Sequence, residues 1–110
     1  MIKPPIADRR PHQRRRVLMS GIVTYADGAY SFDCAFRSVS KAGALITIKK
    51  NTPFPSKFYL IGVRDGIAYE SKVVRNSGSE VGVLFKKTLP LSTMTDNSLN
   101  YLKRLWLAKV

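Results

Sequence analysis

Basic side chains crowd the start of the chain: Lys3, Arg9, Arg10, Arg14, Arg15 and Arg16 fall within the first sixteen residues, against the lone acid Asp8. Arg10 and Arg14 are separated by three residues, and Arg9 stands directly before them. Guanidinium groups are suited to gripping anions. Their planar fork makes paired hydrogen bonds to phosphate oxygens or to the O6 and N7 edge of guanine, and their flat face stacks on purine rings; a lysine does only part of this. A second group, Ser38-Val39-Ser40-Lys41-Ala42-Gly43, places small hydroxyl residues and a glycine at fixed offsets. Such a turn can turn hydroxyls and backbone N–H groups toward an anion, while glycine permits close approach. Each group also has a plainer reading. An arginine arm can be merely solvated or touch polyanions without specificity, and turn serines usually bond their own backbone.

The whole chain leans the same way. Nineteen Lys and Arg against seven Asp and Glu leave a formal charge of +12 on 110 residues, so an anionic partner is expected. Catalysis has little to work with. His12, the single histidine, reads as a solvated arm residue. The single cysteine, Cys34, alternates with aromatic core positions, and no carboxylate pair has a spacing that suggests shared acid and base work. One cysteine allows neither an internal disulfide nor a multi-thiolate metal site, as suits a reducing compartment. No window approaches the ~18 apolar residues of a membrane span, and Met1-Ile2-Lys3-Pro4-Pro5 lacks the apolar run of a secretory signal. The expectation is a soluble, cytoplasmic, non-enzymatic protein with one core.

The elements that must position these groups are short strands. Residues 1–16 read as a flexible basic arm and 17–110 as one domain. Val17 to Tyr25 is strand-forming, with Asp27-Gly28 as a turn signal. Tyr30, Phe32, Cys34 and Phe36 then alternate with polar or small residues at the period of a half-buried strand. Gly43 to Ile48 forms a third strand, ended by Asn51, Pro53 and Pro55. Phe58 to Arg64 and Ile67 to Arg75 flank Asp65-Gly66, a strong hairpin signal. Val81, Val83 and Phe85 alternate in a sixth strand, which is expected to end near Lys86. Leu99, Leu102, Leu105 and Trp106 change to helical spacing, with Thr95 and Asp96 as candidate caps. The expected fold is mainly β: a six-stranded antiparallel β-barrel, preceded by the flexible N-terminal arm and followed by a C-terminal α-helix that packs on the barrel and closes one end.

Taken together and in this order, the two groups resemble the signatures of the PilZ domain, the bacterial receptor module for the second messenger cyclic di-GMP. Its RxxxR arm is matched by Arg10 and Arg14. Its [D/N]xSxxG stretch between the second and third strands is matched by Ser40 and Gly43. Strand layout and terminal helix are also similar over the whole chain after the lead-in. Ser38 departs, standing where the family has Asp or Asn. One hydroxyl offers guanine N–H groups less than a carboxylate or amide, and losing a good polar contact to a base costs about 1–3 kcal/mol.

The resemblance implies that Arg9, Arg10 and Arg14 clamp guanines and phosphates while Ser38, Ser40 and Gly43 hold the other side of cyclic di-GMP. It further implies that Arg9 favours a stacked pair of ligand molecules, that the arm closes on the barrel, and that a downstream protein partner reads the change. No cofactor beyond the ligand is implied. Two alternatives stand beside it: a degenerate domain of this kind acting only through protein contacts, with Ser38 as the reason, and a basic β-barrel binding nucleic acid along its arm. Arg75 reads as an exposed strand-end residue.

Overall fold

A computed structural model of the chain describes residues 15–50 and 52–109. Its strands are β1 (Arg15–Tyr25), β2 (Tyr30–Val39), β3 (Gly43–Thr47), β4 (Lys57–Gly62), β5 (Ile67–Asn76) and β6 (Glu80–Pro90). A single 3-10 turn (Asn97–Leu99) and helix α1 (Asn100–Lys109) follow. All strand pairs are antiparallel and the sheet closes in the order β1-β2-β3-β6-β5-β4. The barrel is therefore two three-stranded meanders, β1 to β3 and β4 to β6, sewn together along two seams. One seam joins β3 to β6 and the other joins β1 to β4.

Alternating residues fill the interior: Val23, Phe36, Ile46, Phe58, Leu60, Val81 and Val83 are all buried there. Each such side chain contributes about 1.5–3 kcal/mol of burial. Cys34 packs against the same cluster, and burial, with the neighbouring Asp33 charge second, pushes its thiol up to about 12. The buried hydroxyls of Thr24 and Ser71 donate to the Tyr30 and Tyr69 carbonyls at 2.9 and 3.0 Å. Turn chemistry is as the sequence suggests at Asp65-Gly66, where Gly66 has φ +67° and donates to the Gly62 carbonyl at 2.9 Å. Strand β6 runs past the expected end near Lys86 to Pro90, because Lys86 is accommodated as an extra residue between the Glu70–Lys87 and Ser71–Phe85 pairs.

Helix α1 packs its apolar stripe on the barrel as expected, with Leu102 fully buried and Leu99, Leu105 and Trp106 around it. It does not close an end. Its partners Ile22 and Ile61 sit opposite each other across the β1–β4 seam and alternate with the inward Val23 and Leu60, so they face outward. The helix thus lies on the outer wall over that seam, because β1 and β4 are apolar on both faces. The Asp96 carboxylate caps the preceding turn, accepting from the Ser98 hydroxyl at 2.7 Å and the Ser98 N–H at 2.9 Å. These bonds hold its carboxyl below the usual range. At the other end Trp106 Nε1 donates to the Val63 carbonyl at 2.9 Å.

Candidate functional site

The turn between β2 and β3 is built by its own hydroxyl. Ser40 N–H donates to the Gly43 carbonyl at 2.9 Å, Ser40 Oγ donates to the same oxygen at 3.4 Å, and Ala42 N–H donates to Ser40 Oγ at 3.2 Å. Ala42 in turn accepts from Phe85 N–H at 2.8 Å, which ties the turn to β6. Gly43 is required by packing. A Cβ there would stand 2.1 Å from the Val83 carbonyl oxygen. Ser40 and Gly43 therefore shape the turn first, and whatever they offer a ligand they offer as a rigid frame.

Ser38 is different. It is 9% exposed, and its Oγ has no hydrogen-bond partner among the described residues. A buried hydroxyl without a partner costs about 1–3 kcal/mol. Ser38 sits at a bulge: β2 carries one more residue than β3 between the Phe36–Ile46 and Ser38–Leu45 pairs, and that extra residue is the exposed Arg37. Bulges of this kind re-aim side chains beside binding sites. Arg37 and Lys41 are both exposed here, and neither has a carboxylate within ion-pair distance among the described residues. The sequence signal for them was present only as positive charge flanking the serines.

Ser38, Ser40 and Gly43 are thus brought together on one turn, whereas Arg9, Arg10 and Arg14 lie outside the described residues. The link between the two groups is the first strand. Arg15 pairs with Val39 and Arg16 with Ser38, so the chain that carries the arginine cluster joins the barrel directly beside the Ser38–Gly43 turn.

The class of fold is a closed antiparallel barrel with a helix strapped to its outer wall. No protein-family model matches the chain, and no curated protein sequence matches it. Among solved structures it is similar to the crystal structure of the PilZ domain of CeSA from a cellulose-synthesizing bacterium. The TM-score is 0.55 at 16% sequence identity, over 88% of this chain and 97% of that one. The chain has the PilZ-domain fold.

Proposed function

We propose that the protein is a cyclic di-GMP receptor module, in which the arginine arm closes over the Ser38–Gly43 turn and the rearranged surface is read by a protein partner. The observation that carries this reading is the β1–β2 register, Arg15 with Val39 and Arg16 with Ser38. It brings Arg15, the residue that follows Arg14, beside the turn, which supports a ligand shared between Arg9, Arg10, Arg14 and Ser38. The Ser38 hydroxyl, without a hydrogen-bond partner among the described residues, adds a buried polar group to this reading. Ordering the arm costs conformational entropy, which charge-assisted bonds from guanidinium to phosphate offset.

A second reading, a domain that acts through protein contacts alone, is favoured by the commitment of the Ser40 hydroxyl within its own turn and the burial of Ser38. Calorimetric titration with cyclic di-GMP separates the two. The receptor reading expects saturable heat for the full chain and its loss in Arg10→Ala. Heat only for Ser38→Asp identifies a degenerate receptor, and heat for neither overturns cyclic-dinucleotide binding.

A further inference from the structure

Strand register carries the candidate site further around the barrel than the β2–β3 turn. Ser38 pairs with Leu45, Leu45 with Gly82, and Gly82 with Arg75, a continuous row across β2, β3, β6 and β5. All lie on the outer wall, since Leu45 and Gly82 alternate with the buried Ala44, Ile46, Val81 and Val83. The row is bracketed by two bulges at the same level. Arg37 is the extra residue at one end and Val74 the extra residue at the other, beside Arg75. Three strand spacings separate Ser38 from Arg75, about 14 Å, the scale of a dinucleotide.

The floor of this row is bare. A Cβ on Gly82 would meet nothing nearer than the Arg75 Cβ at 3.6 Å and a Val74 methyl at 3.8 Å, ordinary contacts. Packing demands glycine at Gly43 and leaves it unexplained at Gly82, where an interior strand glycine is unfavourable by about 0.5–1 kcal/mol. Around the gap stand exposed apolar groups, Leu84 at 40% and Val74 at 60%, with Leu45 half-buried. Arg75 is exposed and has no ion-pair partner among the described residues. Bare backbone bordered by aliphatic groups and by a guanidinium that has no ion-pair partner among the described residues fits a flat ring carrying a phosphate.

We infer that the ligand site extends across the β3–β6 seam, with a guanine ring lying on the bare Gly82 backbone between Leu45 and Val74 and the Arg75 guanidinium taking its edge or its phosphate. This rests on the cyclic di-GMP reading and adds to it a base platform remote from the arm. Gly82→Val fills the platform in a position that has room for it. The variant should keep or raise the melting temperature and weaken cyclic di-GMP binding by about tenfold or more, the scale of one lost stacking contact. Gly82→Ala, with a single methyl, should weaken it less, and it serves if Gly82→Val fails to fold. Arg75→Ala should also lose about tenfold, with Arg75→Lys only partly restoring binding. The full chain is titrated beside each variant at one salt concentration. If the parent binds and all of these variants bind like it, the platform is overturned and the receptor reading stands. If the parent does not bind, both fall together.

Discussion

The two seams of the barrel are built alike and finished differently. Each joins the same two meanders, and in the closed order β1-β2-β3-β6-β5-β4 they lie diametrically opposite. The β1–β4 seam carries Ile22, Ile61 and neighbouring Ala68 outward, and helix α1 covers them with Leu102 and Trp106. The β3–β6 seam carries Gly43, Leu45, Gly82 and Leu84 outward, and no described element covers it. Where the outer wall is bulky and apolar the chain supplies its own cover. Where it is flattened by glycine and fringed by Arg37, Lys41 and Arg75, no described element lies over it, and that is the surface on which the ligand site is proposed. The helix-covered wall is thus the structural one, and the proposed ligand site lies on the wall opposite.

That division can be broken at its strongest point first. Leu102→Ala removes the fully buried contact of the helix and should destabilise the protein by about 2–5 kcal/mol in chemical denaturation, the range for large-to-small core changes. A loss below about 1 kcal/mol would mean that the helix is not a structural cover. Gly43→Ala probes the open wall, because the new methyl must displace the Val83 carbonyl. A cost of about 1–3 kcal/mol is expected by the same measurement, against a neutral or favourable effect for Gly82→Ala two strand positions away in β6. Equal costs at Gly43 and Gly82 would erase the distinction drawn between them. The smallest effect belongs to Lys109→Ala. Its exposed 2.8 Å ion pair with Asp33 at the helix end should contribute under about 1 kcal/mol, and the substitution should leave cyclic di-GMP titrations unchanged.

Much of this was readable in the chain. The alternation of Phe32, Cys34 and Phe36, and of Val81, Val83 and Phe85, identified interior positions because a strand shows its two faces in turn, although Tyr30, which begins the first of these series, lies 57% exposed at the strand's open end; the Leu99, Leu102, Leu105, Trp106 spacing identified the helix and its buried stripe. Strand order was not readable, since period-two patterning says which face is buried and nothing about which strand lies alongside. The position of the helix was hidden for a related reason. Gly21-Ile22-Val23 and Leu60-Ile61 are apolar on both faces, so alternation gave no hint that a second layer waits outside. The bulges at Arg37 and Val74 pass unnoticed in a sequence whose local pattern looks unbroken. At the candidate site, the serines and glycine were singled out by type and spacing. That Ser40 spends its hydroxyl inside the turn, and that Gly43 yields to the Val83 carbonyl, are facts of three-dimensional approach.

The two-meander construction also sets an order of events. Within each meander every paired strand is a sequence neighbour, so its hairpins close short loops and can form early. Both seams join residues far apart in the chain, Gly43 with Leu84 and Gly21 with Gly62. They must form late, after two partly exposed sheets have met. Helix α1 packs on Ile22 of the first meander and Ile61 of the second, so its docking follows the meeting and makes it difficult to reverse. Barrel closure is therefore expected to be the slow step in folding, with helix α1 as its latch.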